Sequence, residues 1–269
     1  MEWTVTHGPD PQKHKEGTGQ PRSSGQQFDR RQFLTGTIVG GAALFVSAAA
    51  LRFVDYSLEV THLHVGLGAR LTFLPDLHIH EIGEAHVEKT LKALEDVDTD
   101  MLVIGGDLVD EETKNLEAVG KFLDQLDVKE KLSVLGNHEY WSGHAKEVAA
   151  ALRSRGFEVL FNEHVQTSVG PVFGYDWSEE RRYQELRLNG LVIAHDPNAA
   201  DSVKGRALVL SGHTHGGLVL NGHTIYSNSR YVRGHYRLGG EVHLYVSRGV
   251  GQMSFQFRVW SRPELLILD

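Results

Sequence analysis

Residues 101–107 read Met-Leu-Val-Ile-Gly-Gly-Asp, a short apolar run that gives way at once to a carboxylate. A run of this length and composition indicates a buried strand. The same pattern occurs four more times along the chain. The other four runs lie at residues 70–74, 132–135, 191–194 and 207–210, and they lead to Asp76 and His78, to Asn137, to His195, and to His213 and His215.

The stretches between and after these runs predict the other elements of the fold. Apolar residues at helical spacing predict helices over residues 84–96 and 113–127, and a third helix around Val148 that is closed by Gly156. The tail predicts a hairpin with a Gly-Gly turn and a last strand over residues 264–268. In an α/β sheet, ligands bind at the carboxyl ends of the strands. The polar residues that follow the five runs are therefore expected to converge at one edge.

The side chains at these strand ends are those of a metal site without sulfur. The chain contains no cysteine, and imidazole and carboxylate ligands suit divalent Mn, Fe or Zn. In an extended segment Asp76 and His78 point to the same side, so both can reach one ion. His213 and His215 can do the same, or they can reach two neighbouring ions.

Three further residues suggest separate roles in such a site. Asp107 stands alone after its strand, as expected of a carboxylate that bridges two ions. Asn137 offers a neutral carbonyl oxygen, and His138 beside it is left free for proton transfer. A single histidine is more often a structural or surface group, but all five segments in this order predict a metal site.

Together these motifs resemble those of the calcineurin-like metallophosphoesterase family over about residues 70–268. The family patterns D-x-H, G-D, G-N-H-[DE], H and G-H-x-H stand here as Asp76-Leu77-His78, Gly106-Asp107, Gly136-Asn137-His138-Glu139, His195 and Gly212-His213-Thr214-His215. Residues 244–249 and 262–264 also look like a branch of the family that contains exported bacterial phosphoesterases with a twin-arginine signal.

The resemblance implies a fold, two ions and a reaction. The implied fold class is α/β, a four-layer sandwich of two mixed β-sheets flanked by helices. The two divalent ions are expected on Asp76, His78, Asp107 and His215, and on Asp107, Asn137, His195 and His213. The implied enzyme is a metal-dependent phosphoester hydrolase, in which a metal-bridging hydroxide attacks phosphorus. His138 is expected to contact the phosphate and to protonate the leaving oxygen.

The chain departs from the common family pattern at His80, where many members have a small residue. This histidine is expected either behind the metal ligands, as an additional group that contacts them, or at the surface, and we favour the surface position. Arg230, Arg233 and Arg248 are candidate phosphate contacts, although structural salt bridges explain them equally well. The segment between residues 162 and 189, where family members vary, allows no assignment.

The first 55 residues predict an export segment. Residues 1–29 are polar and predict disorder. The pair Arg30-Arg31 precedes an apolar run with several glycines, so residues 30–55 resemble a twin-arginine signal or a membrane anchor. The catalytic domain is expected over residues 56–269, on the outer side of the membrane.

Charge and location narrow the expected partners. The formal net charge of −8 argues against nucleic acid, and hence against a nuclease. The expected partners are a phosphorylated small-molecule or lipid substrate, the membrane and the twin-arginine export machinery. The expected location is the extracytoplasmic face of the membrane, the periplasm or the cell envelope.

The leading function is a phosphodiesterase or phosphatase that acts on an envelope substrate. Two alternatives stay open at this point. One is a pyrophosphatase of a nucleotide-linked lipid of the UDP-diacylglucosamine type. The other is a metal-loaded envelope binding protein without turnover.

Overall fold

The computed structural model describes residues 4–6, 58–220, 223–251 and 261–269. The strands are β1 (Thr4–Thr6), β2 (Glu59–His64), β3 (Leu71–Leu74), β4 (Met101–Gly105), β5 (Glu130–Val134), β6 (Glu158–Val159), β7 (Glu163–Thr167), β8 (Gly170–Tyr175), β9 (Leu186–Ala194), β10 (Val203–Ser211), β11 (Leu218–Leu220), β12 (His223–Tyr226), β13 (Gly234–Arg237), β14 (Glu241–Val246) and β15 (Glu264–Leu268). The helices are α1 (Ala85–Glu95), α2 (Glu117–Leu123), α3 (Asn137–Trp141), α4 (Ala145–Arg153) and a 3₁₀-helix (Pro197–Ser202).

The strands form two large mixed sheets. The first has the order β1-β2-β15-β3-β4-β5-β6 and the second the order β13-β14-β10-β9-β8-β7. Strands β3 to β6 run parallel in the first sheet, and β8, β9, β10 and β14 run parallel in the second. Antiparallel strands β7 and β13 lie at the edges of the second sheet. Strands β11 and β12 form a separate ribbon.

Alternation of side chains along the strands divides the core into layers. In β4, Met101 and Val103 pack between the two sheets, whereas Leu102 and Ile104 pack against α1, α2 and α4. A third cluster covers the outer face of the second sheet and includes Ala199 of the 3₁₀-helix. The α/β sandwich of two mixed sheets flanked by helices is thus confirmed.

The predicted elements are largely present. The five apolar runs are β3, β4, β5, β9 and β10, and the hairpin and last strand are β13–β14 and β15. Helix α4 ends as predicted, because Gly156 has a φ of +81° and Phe157 N donates to the Leu152 carbonyl, the Schellman arrangement.

Helix α2 is shorter than the predicted 113–127. Thr113 lies instead in a turn, since its N–H donates to the Asp110 carbonyl and its hydroxyl donates to the Ile79 carbonyl at 2.9 Å. These bonds connect residues 110–113 to the loop after β3, so the helix begins only at Glu117.

The N-terminal predictions fall mostly outside the described residues. The predicted signal or anchor at 30–55 lies entirely outside them. Residues 4–6 are an exception to the disorder predicted for 1–29: they form β1, which pairs antiparallel with β2 and so satisfies backbone groups of its edge. In the part of the chain that the structure describes, no helix has the length and apolar character needed to cross a membrane.

Candidate metal centre and active site

The carboxyl ends of five strands from both sheets meet at one edge. Asp76 and His78 follow β3, Asp107 follows β4, Asn137 follows β5, His195 follows β9, and His213 and His215 follow β10. All except His215 are buried. Their ligand atoms fall into overlapping groups within 4.8 Å, namely Asp76, His78 and His215; His78, Asp107 and His138; and Asp107, His195 and His213.

The carboxylate of Asp107 lies at the centre of this cluster. Its Oδ1 accepts the backbone N–H of His138 at 2.9 Å. Its Oδ2 faces three imidazoles, at 2.9 Å from Nε2 of His195, 3.9 Å from Nε2 of His78 and 4.0 Å from Nε2 of His138. Oδ2 is therefore the oxygen that two neighbouring groups of ligands can share.

The contacts of His195 indicate a cation site. Nδ1 of His195 lies 2.9 Å from the Gly105 carbonyl, which fixes the proton on Nδ1 in the neutral ring. The unprotonated Nε2 then faces two more acceptors, Oδ2 of Asp107 at 2.9 Å and Oδ1 of Asn137 at 3.1 Å. Three acceptor atoms that converge in a buried place need a proton or a metal ion between them, so these residues fit a divalent ion.

A second group of candidate ligand atoms lies around His78. Its Nε2 is 3.2 Å from Nε2 of His215, and Nε2 of His215 is 3.8 Å from Oδ1 of Asp76. His213 and His215 thus turn to different groups, as one of the two sequence-based alternatives allowed. The N/O ligand types in both groups suit a divalent transition metal.

The loops that carry these residues have unusual backbone angles. Asp76, His78, Asp107, His213 and His215 have φ values between +47° and +74°, a region that non-glycine residues rarely adopt. The predicted extended conformation of residues 76–78 is therefore wrong. Hydrogen bonds from Asp76 N and His78 N to the carbonyls of residues 106 and 107 hold this loop against the end of β4.

Glu139 holds the loop of Asp107 in place. Its buried carboxylate accepts four backbone N–H groups: Gly136 at 2.7 Å, Asp107 at 2.9 Å, Leu108 at 2.5 Å and Val109 at 3.2 Å. A methyl group at Gly136 would collide with the Asp107 carboxylate, so only glycine permits this close approach.

Burial and mutual charge determine the ionisation of the cluster. Burial raises the pKa of Asp76. At Asp107 burial is the largest single effect and acts in the same direction, but the neighbouring imidazoles, His195 foremost through its charge and its hydrogen bond, together outweigh it and hold the pKa well below its ordinary value. Burial lowers the pKa of His213 to about 3, and the charge of His195 adds to this effect. His213 is therefore neutral near pH 7, which is the form that binds metal.

His138 is oriented by a carboxylate and two rings. Its Nδ1 lies 2.7 Å from Oε2 of Glu111, and its ring packs edge-on against His78 and against the half-exposed Trp141. The Glu111 carboxylate at Nδ1 orients the ring so that Nε2 is directed to the cluster, 4.0 Å from Oδ2 of Asp107. The proton-donor role expected of His138 stays a prediction, and this geometry allows it.

A model of the calcineurin-like phosphoesterases matches residues 69–217, more than half of the chain. The chain belongs to the calcineurin-like phosphoesterase family. This family depends on divalent metal ions, and the chain is accordingly a metal-dependent phosphoester hydrolase.

Several relatives are similar over most of the chain. An uncharacterized metallophosphoesterase of Aquifex aeolicus is 32% identical over 251 residues, which cover 85% of this chain and 95% of that protein. YkoQ, an uncharacterized metallophosphoesterase of Bacillus subtilis, is 31% identical over an alignment that covers 74% of this chain and 84% of YkoQ. A transmembrane protein with a metallophosphoesterase domain from Danio rerio is 28% identical over 247 residues, and this alignment covers 80% of this chain and 56% of that protein.

Solved structures are more distant. A phosphoesterase of E. coli, YfcE, aligns with a TM-score of 0.39 and 16% identity over 70% of this chain and 83% of its own. A nuclease of Pseudomonas putida aligns with a TM-score of 0.37 and 20% identity over 72% of this chain and 76% of its own.

The three arginines considered as phosphate contacts have different partners in the structure. Arg230 forms an ion pair with Asp201, and Arg248 is held between Glu59 and Glu264, each at 3.0 Å. Arg233 donates to the Gly216 carbonyl at 2.7 Å, in the loop after His215. The salt-bridge interpretation thus applies to the first two arginines.

His80 does not lie freely at the surface as expected. Its side chain is 19% exposed, and Nε2 lies 2.6 Å from Oδ2 of Asp110, which raises the pKa of His80. The same oxygen of Asp110 is 3.5 Å from Nδ1 of His78, just beyond a regular hydrogen bond. Asp110 thus lies between His80 and the candidate ligand His78.

Replacing Glu139 tests how strongly the site depends on its carboxylate. In Glu139→Gln an amide NH₂ faces two of the four backbone N–H donors, so about two hydrogen bonds to a charged group are lost in a buried place. We expect the free energy of unfolding to fall by about 3 kcal/mol, measured by urea denaturation, together with a loss of bound metal.

The matched control is Glu185→Gln, which makes the same chemical change at an exposed position. It is expected to leave the unfolding free energy within about 0.5 kcal/mol of wild type. An unchanged unfolding curve for Glu139→Gln would contradict the role assigned to this residue.

Proposed function

We propose that the cluster binds two divalent ions and that the enzyme is a phosphodiesterase or phosphatase. The observation that carries this proposal is the central position of Asp107 Oδ2, which faces His195 on one side and His78 on the other. We assign one ion to Asp76, His78, Asp107 and His215, and the other to Asp107, Asn137, His195 and His213. Ions bound there would lower the pKa of a water molecule and neutralise the phosphoryl oxygens.

The chain's own groups supply the rest of the reaction. Neutral His213 offers a nitrogen lone pair, and His195, whose pKa the neighbouring carboxylates raise to about 10, would release its Nε2 proton on binding an ion, while the two aspartates supply negative charge that ions compensate. His138, held by Glu111 at 2.7 Å, would donate a proton from Nε2 to the departing oxygen. A binding protein without turnover has no need of an oriented acid, so this pair favours hydrolysis over that alternative.

Metal-dependent hydrolysis is the direct test of this function. The full chain is assayed with p-nitrophenyl phosphate, bis-p-nitrophenyl phosphate and a nucleotide-linked lipid, with Mn, with Zn and with a chelator. We expect hydrolysis only with metal, and a loss of about 100-fold or more in Asp107→Ala because the shared ligand is removed. Activity that survives chelation, or that Asp107→Ala retains, would contradict the proposal. The preferred substrate separates monoester, diester and pyrophosphate cleavage.

Replacing His138 tests the proton donor. We expect His138→Ala to lose about 10²- to 10⁴-fold in turnover on an ester with an alkyl leaving group, which needs a proton, and much less on p-nitrophenyl esters. Glu111→Gln should show a smaller loss of the same kind, with metal content unchanged in both variants. Equal losses on both kinds of leaving group would rule out an acid role for His138.

We also propose an envelope location with a twin-arginine segment or anchor at residues 30–55. The arginine pair and the apolar run support it, and two relatives are named transmembrane proteins. The pairing of β1 with β2 weighs against a permanent span, because residues 4–6 and 62–64 would then lie on opposite sides of the membrane. Cleavage of the segment would remove β1 with it.

Cell fractionation tests this location. We expect the wild-type chain in the envelope fraction and the doubly substituted Arg30→Lys, Arg31→Lys chain retained in the cytoplasm, because twin-arginine signals depend on the arginine pair. Cytoplasmic wild-type protein would contradict the proposed location and leave the hydrolase assignment untouched.

A further inference from the structure

The loop between β8 and β9 brings an arginine to the metal centre. Arg181 lies in this loop and has a φ of +52°. Among the described residues, seven other than glycine have a positive φ, and five of these are the candidate metal ligands. Such a conformation is strained and persists where the surroundings enforce it, often at functional sites. Arg181 therefore shares a backbone feature with the ligands themselves.

Each nitrogen of the Arg181 guanidinium has a defined direction. Nη1 donates to the Asn228 carbonyl at 2.6 Å, and Nε lies 3.9 Å from Oδ2 of Asp196. Nη2 lies 3.4 Å from Nε2 of His213. The first two contacts orient the group, and the third directs it to a side chain of the candidate metal site.

A structural ion pair does not account for this position. Asp196 is already satisfied by Asn198, whose backbone N–H and side-chain amide donate at 3.0 and 2.6 Å, and by the Tyr183 hydroxyl at 3.1 Å. The Arg181 side chain is 37% exposed, and a pair at 3.9 Å in that setting contributes little.

The position of Nη2 implies a ligand of its own. Nε2 of His213 faces two N–H donors, Nη2 of Arg181 at 3.4 Å and the Asn228 amide at 3.0 Å, so this nitrogen is placed as an acceptor. A lone pair that is given to a metal ion is no longer an acceptor. Nη2 of Arg181 then lies beside the ion without an acceptor, whereas the Asn228 amide keeps a second one, the His213 carbonyl at 3.3 Å.

We propose that Arg181 binds a non-bridging oxygen of the substrate phosphoryl group on the His213 side of the centre. A guanidinium presents planar, permanently charged donors that match phosphate oxygens, and charge-assisted bonds of this kind are stronger than neutral ones. This inference rests on the proposed function and adds a substrate-binding residue to it.

The aromatic neighbours of Arg181 provide a signal for binding. Trp177 lies 5.1 Å, between ring centroids, from His213, and both Trp177 and Trp141 donate their indole N–H to Oε2 of Glu179 at 3.0 Å. Phosphate bound beside His213 is expected to change the fluorescence of these tryptophans.

The test measures inorganic phosphate binding to the metal-loaded full chain by calorimetry and by tryptophan fluorescence. We expect Arg181→Gln to raise the Kd for phosphate about 10- to 100-fold with unchanged metal content, and to raise KM more than it lowers kcat. Arg181→Lys should restore part of the affinity. Arg182→Gln is the matched control, because it removes the same charge from the next exposed position, and it should change the Kd less than about twofold.

Arg181→Gly separates binding from stability. Glycine adopts a positive φ without strain, so this variant should unfold no more easily than wild type and yet bind phosphate as weakly as Arg181→Gln. The inference is overturned if Arg181→Gln binds phosphate like wild type, if Arg182→Gln weakens binding equally, or if the wild-type chain binds no phosphate.

The outcomes also separate this inference from the proposed function. If the chain hydrolyses esters with metal but binds phosphate equally well without the Arg181 side chain, the inference is overturned and the proposed function stands. Phosphate binding that depends on Arg181, without hydrolysis of any ester, supports the inference and contradicts the function.

Discussion

The site depends on one buried carboxylate oxygen, Oδ2 of Asp107. Its neighbouring oxygen is already used by the His138 N–H, so Oδ2 alone faces His195, His78 and His138. A buried negative charge is costly unless cations compensate for it. The imidazoles around Oδ2, and the divalent ions that this family uses, are thus needed to make the fold of this edge favourable as well as to perform the chemistry.

The two sheets and their loops keep that oxygen in position. Parallel strands from both sheets end at the same edge. In the loops that follow these strands, Asp76, Asp107 and His213 have positive φ values in the left-handed region. Glu139 links the loops after β4 and β5 through four backbone N–H groups. The strained loops are therefore attached to buried, paired strands, whose packing can maintain the strain.

The sequence predicted the features that depend on local pattern and residue chemistry. The five strands, helix α4 with Gly156 and the hairpin follow from apolar spacing and glycine positions, and the polar residues after the strands follow from parallel topology. The backbone conformation of the ligand loops did not follow from the sequence, because residues 76–78 are expected to be extended and instead have positive φ values at Asp76 and His78. Arg181, Asn228 and Glu111 were missed as well, since their contacts depend on the paths of long loops, for which one sequence contains no periodic signal.

Anomalous X-ray diffraction from crystals of the manganese-loaded chain would test the central claim most directly. The account predicts two anomalous peaks per chain, about 3.5–4 Å apart, with an oxygen of Asp107 bonded to both. One peak would have Asp76, His78 and His215 around it, and the other Asn137, His195 and His213. A single peak, peaks away from Asp107, or no bound metal would contradict the account.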